Sequence, residues 1–301
     1  MKSLTTQQTH ALHGVIERLK GDDKDRLVTI IESAEGAAVK AGPHWDFELS
    51  AKAVDAVIGT SHDDVATHDL RRAMIARWAL DLPDRYATMN LPRQVLELYP
   101  DWIDYLIAFL NGEATAYDQD YWAKDVRFAL ALSVPGSQSH VIDTSSPLGP
   151  RQIVRHGMEG RGFGSLLRWV GTGGWRPWLE AHTEARHLSD FSPEGWDKTW
   201  AAGAAFLKTH PDYAGMLGSS WFYDPPLETI SPRLAYLRKT PVANGAFLVH
   251  QGPGDIHSER ASASSPTRRA MIEKGEYVPS SWIVAWPRKA LIKWAEDQGL
   301  I

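Results

Sequence analysis

The chain contains no cysteine among its 301 residues. Disulfides, thiolate zinc sites, iron–sulfur clusters and a catalytic thiol are thereby excluded, and a reducing cytoplasmic compartment is the expectation. No apolar run approaches the ~20 residues that cross a bilayer. The first residues, Met1 to Gln8, lack the apolar core and cleavage site of a secretory leader, so none is expected. Also missing are a Gly-x-Ser-x-Gly elbow, a Walker-type phosphate loop and a His-Glu-x-x-His pair, which removes the main support for serine hydrolases, P-loop NTPases and zincins. There is no internal repeat, heptad register or low-complexity tract.

What is present belongs to a folded protein: 23% charged and 43% hydrophobic residues. The net charge of −5 is unevenly spread. Residues 1–125 hold 13 Lys+Arg against 21 Asp+Glu, whereas residues 126–301 hold 19 against 16, and 13 of those 19 are arginines. Nine of the 13 tryptophans also lie after residue 125. Guanidinium forks bind carboxylate or phosphate and stack on rings, so this half suits an anionic, partly planar ligand. Surface ion pairs and core aromatics are the competing explanation. An acidic chain is a poor nucleic-acid binder. The expected partner is a small molecule, with no nucleic acid and no membrane.

Residues 1–125 read as a helical region. Leu12, Val15, Ile16 and Leu19 keep helical spacing, as do Leu27, Ile30, Ile31 and Ala34, and the pattern continues over Asp69–Leu80 and Pro92–Leu110. From Asp125 the texture changes. Val126 to Val134 reads as a strand, with His140–Asp143 as its hairpin partner. Further strands are expected at Trp178–His182, Met216–Tyr223, Gly245–His250 and Trp282–Trp286. Ser192-Pro193, Ser231-Pro232 and Ser265-Pro266 each place a cap before a first-turn proline, and a final helix starts at Pro287. Alternation of strands and helices predicts a mixed α/β (α+β) domain over 126–301, a mixed sheet with helices packed on it.

The most motif-like stretch is Met158-Glu159-Gly160-Arg161-Gly162-Phe163-Gly164. Closely spaced glycines running into a helix let backbone N–H groups approach a pyrophosphate; a simple loop is the alternative. The stretch resembles the acyl-CoA loop of the GNAT N-acetyltransferase superfamily, Arg/Gln-x-x-Gly-x-Gly, with Glu159 where that family has Arg or Gln. A second resemblance to the same superfamily lies in element order. There a strand leads to a ligand-binding loop and helix, and residues 214–286 can be laid on that plan with Asp224-Pro225-Pro226 as the loop. The two placements compete for one cofactor. The resemblance implies acyl-CoA as donor, held by Gly160, Arg161, Gly162 and Gly164.

His182-Thr183-Glu184-Ala185-Arg186-His187 is the densest ionisable cluster. On a helix Glu184 and His187 share a face; on a strand His182 and Glu184 point the same way. His182, Glu184 and His187 therefore form an alternative metal site of non-haem iron type, with His140, His156 or His250 as a further ligand. A strand-end ion pair between Glu184 and Arg186 is the plain alternative. Ser219, Ser220, Trp221 and Asp224, at a strand end, fit a pocket wall, while Asp255–Glu259 reads as an exposed loop. The expected function is N-acyl transfer to a small amine, with His182 or Glu184 as base, Tyr223 or Tyr277 as acid, and Arg186 with the 219–224 wall binding substrate. The alternatives are the iron enzyme and a non-catalytic binding module for a small anion. Replacing Gly162 by valine should abolish donor binding in a titration; unchanged binding removes the Gly160–Gly164 placement.

Overall fold

The computed structural model describes residues 3–44, 46–60, 67–112, 119–158, 163–263 and 265–301. They form two compact units, Met1–Ser146 and Pro147–Ile301.

The first unit is helical: α1 Thr6–Glu17, α2 Asp22–Ala41, α3 Leu49–Ile58, α4 His68–Leu80, α5 Leu82–Ala87, α6 Arg93–Leu96, α7 Tyr99–Asn111 and α8 Gln119–Ala129. Helix α1 opens on a capping box in which Thr5 and Gln8 satisfy each other's backbone amides. Helix α4 is the unit's centre, buried on nearly every side. Its Arg71 is fully buried, and Asp55 and Thr67 accept from the guanidinium at 3.0 and 2.6 Å.

The expected strand over Val126–Val134 is a helix end and only then a strand. Val126 to Ala129 finish α8, because Trp122, Ala123, Val126 and Ala129 share its buried side. A short continuous apolar run cannot separate a strand from a buried helix by periodicity alone. The helix stops where Ala131 turns left-handed (φ 57°) and the Leu132 amide donates back to the Arg127 carbonyl at 2.8 Å. Strand β1, Ser133–Pro135, then pairs antiparallel with β2, His140–Pro147, so the expected hairpin partner is correct.

One buried ion pair ties this unit together. Arg127 Nε donates to Asp143 Oδ1 at 2.8 Å, and its Nη1 donates to the Gly42 carbonyl at 3.2 Å and Ser50 Oγ at 3.0 Å. Helix α8, the end of α2, the start of α3 and β2 thus meet on one guanidinium.

The second unit contains α9 Pro150–Met158, α10 Phe163–Gly171, β3 Pro177–Thr183, α11 Pro193–Thr209, β4 Gly215–Ser220, α12 Leu227–Ile230, α13 Tyr236–Ala243, β5 Phe247–Pro253, α14 Asp255–Ala263, α15 Pro266–Glu273, β6 Ser280–Pro287 and α16 Arg288–Asp297. Strands run in the order β3-β4-β6-β5, parallel between β3 and β4 and antiparallel elsewhere. This is the mixed sheet with packed helices that the alternation predicts. One face is covered by Leu148, Ile153 and Trp169, which pack on Trp178, Leu217, Phe247, Val249, Ile283 and Ala285. Towards the other face lie α11 and α16, with Trp200 edge-on to Trp286.

Two local readings are corrected here. Ser231-Pro232 opens only a 3-10 turn before α13, and Asp255–Glu259 is the start of α14 rather than a loop. Breaking the buried pair by Asp143→Ala should cost about 3–5 kcal/mol, read by denaturant unfolding. Loss of less than about 1 kcal/mol would show that the charge on Arg127 finds other compensation.

Candidate functional site

Ligands of α/β sheets gather outside the carboxyl ends of parallel strands, where the chain leaves them in different directions. The second unit has one such pair. Pairing of β3 with β4 ends at Ala181–Gly218, yet β3 continues to Thr183 and β4 to Ser220. Two residues of each strand therefore run on past the last rung.

Period-two alternation sorts the side chains at these ends. Glu180 and His182 of β3 lie on the face of Trp178, with His182 Nε2 4.0 Å from Glu180 Oε2. Ser219 of β4 shares this face, and its Oγ donates to Gln251 Oε1 at 2.7 Å; Ser281 of β6 donates to the same oxygen at 2.6 Å. A bulge between His250 and Gly252, with Gly252 at φ 105°, displaces β5 at this point. The result is a polar row across four strand ends: Glu180, His182, Ser219, Gln251 and Ser281.

On the opposite face the 3-10 turn Trp221–Tyr223, whose first amides are capped by Ser220, folds back over β4. Gly218 makes room, since a methyl group there would lie 2.4 Å from the Tyr223 hydroxyl. Tyr223 is 1% exposed. Burial holds its phenol well above the usual range, with Glu180 and Tyr236 adding to the effect. Tyr236 is pushed up to about 12 by burial and by Glu194 and Asp197.

The loop between β3 and α11 resolves the His182–His187 cluster. Glu184 is 1% exposed and accepts from the Arg186 amide and Nε at 3.0 Å and from its Nη2 at 2.9 Å. Both carboxylate oxygens are engaged by that fork, so the plain ion-pair alternative is the one the structure contains. Residues 184–187 form a turn, not a helix, with the His187 amide donating to the Glu184 carbonyl. The partner in phase with His182 is Glu180, not Glu184, because β3 ends at Thr183. Among the described residues no three His, Asp or Glu side chains are placed to hold a metal ion. His140 belongs to the first unit, where its Nδ1 lies 2.8 Å from Ser137 Oγ.

The first turn of α11 uses its own donors. Ser192 Oγ accepts from the Gly195 amide at 3.1 Å, Pro193 has no N–H, and the Trp196 amide donates to the Ser192 carbonyl. The Glu194 carboxylate accepts from its own amide and from the Ser192 hydroxyl, which holds it below the usual carboxylate range. Gly195 is obligatory, as a methyl group there would stand 1.7 Å from the Asp190 carbonyl.

The remaining sequence candidates fall elsewhere. The strand–loop–helix unit that ends on a parallel neighbour is β3–α11–β4, not the segment from Met216 on which element order placed it. Asp224 is no loop ligand: it accepts from Tyr277 Oη, the Ser280 amide and Trp282 Nε1, each at 3.0 Å. Tyr277, Trp221 and Leu227 belong to a small core under α14 and α15. Buried Arg268 lies 5.0 Å from the Trp221 ring centroid. Gly160, Arg161 and Gly162 lie outside the described residues, while Gly164 sits in α10 facing open space. Glu180 and Gln251 escaped the sequence reading, although alternation from Trp178 through His182 carries the signal for Glu180.

No protein-family model matches the chain, and no curated protein sequence does. Solved structures do. An acyltransferase in complex with decanoyl-CoA and teicoplanin aligns over 95% of this chain and 85% of its own, with a TM-score of 0.54 and 13% identity. An acyltransferase with CoA and 10C-teicoplanin, and a mutant acyltransferase with octanoyl-CoA, give the same figures. At this identity the likeness is one of fold.

The buried phenols make a pH prediction. A folded-state value above the unfolded one, near 10, means that the native state keeps a proton which the unfolded chain releases. Stability is full below about pH 10 and lost as pH rises above it. The melting temperature should be level from neutral pH to about 10 and then fall, less steeply in Tyr223→Phe. Equal slopes would remove Tyr223 from this effect.

Proposed function

We propose that the chain moves an acyl group from a CoA thioester to the amine of a small molecule, working at the separating ends of β3 and β4. The observation that supports this most directly is the position of Tyr223 across the sheet from Glu180 and His182. A buried phenol stands on one face of these strand ends, and a carboxylate–imidazole pair on the other. Likeness in fold to acyltransferases solved with CoA and acyl-CoAs supports the reading.

The pantetheine arm of CoA carries two amides and suits a gap between strands, where backbone groups beyond the last rung can pair with it. The pyrophosphate finds no matching donors at the start of α11, whose first turn is capped by Ser192 and carries Glu194. That leaves the Gly160–Gly164 amides as its proposed holder. The thioester supplies an activated acyl carbon. Glu180, with His182 beside it, takes the proton that the attacking amine must lose. Tyr223 gives its proton to the departing sulfur. Asp197, held above the usual carboxylate range by burial and Glu194, adds to an acidic rim with Glu194 and Asp190 that favours a cationic amine.

Calorimetric titration of acetyl-CoA and decanoyl-CoA into the full chain tests this. Micromolar binding is expected, together with acylation of a panel of amines detected by mass spectrometry. Tyr223→Phe should keep donor binding and lose about 10²–10⁴-fold in kcat. No heat at several temperatures overturns donor binding. Turnover unchanged in Tyr223→Phe overturns the role of the phenol.

A further inference from the structure

Helix α10 is apolar on both its sides. Inward, Trp169 is buried with its Nε1 donating to the Leu148 carbonyl at 2.9 Å, Ser165 Oγ donates to the Leu248 carbonyl at 3.0 Å, and Leu166 packs on the core. Outward, Leu167 is 59% and Val170 47% exposed. Just past the helix Trp175 is 68% exposed, standing edge-on against Trp169 at 5.0 Å. Val154 of α9 adds a fourth exposed apolar side chain.

Charge along this stretch is mostly of one sign. From Pro147 to Leu179 the sequence carries five arginines and a single acidic residue, Glu159, in a chain whose net charge is −5. Arg151, Arg168 and Arg176 are exposed. A protein partner of ordinary composition meets apolar residues with a mixed-charge rim. Exposed Leu, Val and Trp with exposed arginines beside them in the sequence match the boundary between phosphate headgroups and acyl chains. At nine residues α10 is about 14 Å long, far too short to span; it can only lie in the plane.

We propose that the α9–α10 face docks on an anionic lipid surface, with Leu167, Val170 and Trp175 entering the headgroup boundary and Arg151, Arg168 and Arg176 meeting lipid phosphates. The acidic remainder of the chain is repelled by the same surface, which fixes the orientation. This proposal departs from the sequence expectation of no membrane partner; surface attachment needs no spanning segment.

The test is co-sedimentation of the full chain with vesicles of phosphatidylcholine alone and of phosphatidylcholine mixed with phosphatidylglycerol. Binding to the mixed vesicles is expected to exceed that to the neutral ones at least tenfold and to weaken in high salt. The exposed pair Leu167→Ser with Val170→Ser should lower it at least fivefold with an unchanged melting temperature. Arg168→Gln with Arg176→Gln should lower it by roughly fivefold per arginine. Absence of binding to mixed vesicles, or binding that both variants leave intact, overturns the proposal. So does a dimer in solution that the Leu167/Val170 variant converts to monomer, which would assign the face to a second copy.

Discussion

Close approach to the backbone of β4 is the constraint on which the second unit depends. A methyl group at Gly215 would sit 2.6 Å from the Trp178 ring, and one at Gly218 would sit 2.4 Å from the Tyr223 hydroxyl. From the neighbouring helix, one at Gly203 would sit 2.1 Å from Met216 Sδ. Three missing side chains thus let an indole, a phenol and a helix lie directly on one strand. Interiors packed at crystal density leave no slack for such changes. Trp178 anchors the core of one face, Tyr223 defines the other, and α11 returns the chain so that β4 lies parallel to β3.

That geometry separates the polar groups by chemistry. Glu180 and His182 share a face with Ser219, Gln251 and Ser281, while the Tyr223 hydroxyl is across the sheet at the same strand ends. The arginines largely serve other ends. Arg186 forks Glu184, Arg238 pairs with Glu228, and Arg268 is buried beside Trp221. The arginine-rich half therefore owes much of its composition to internal pairs and ring contacts. The exposed remainder includes the arginines around α10.

Elements whose signals are local were legible. Ser192-Pro193 and Ser265-Pro266 open helices where a cap followed by a first-turn proline says they should, with the serine hydroxyls accepting from Gly195 and Arg268 amides. Strands β3 and β6 fall on their expected segments within the usual shift of ends, β5 runs on to Pro253, and the expected Met216–Tyr223 strand ends at Ser220, with Trp221–Tyr223 a 3-10 turn. Ser231-Pro232 shows the same dipeptide yielding only a 3-10 turn, because Tyr236, a few residues on, begins the helix that packs towards β6. Val126–Val134 reads as one strand because an apolar run has no period to distinguish helix from strand; Val126–Ala129 finish α8, and Ser133 and Val134 belong to β1.

By itself the sequence determined composition class, the helical character of the first hundred or so residues, the capped helices and the strands of a mixed sheet, since all of these rest on neighbours along the chain. It also excluded thiol chemistry outright. Only the tertiary structure decided that Glu184 belongs to Arg186, that Asp224 and Tyr277 hold each other, and that Glu180 and His182 lie on one face of the strand ends with Tyr223 on the other. Each of those placements depends on strand register, on where a strand ends, or on a close approach over glycine. Side-chain chemistry can be read residue by residue, but which groups converge is fixed by backbone paths that the local signals leave open.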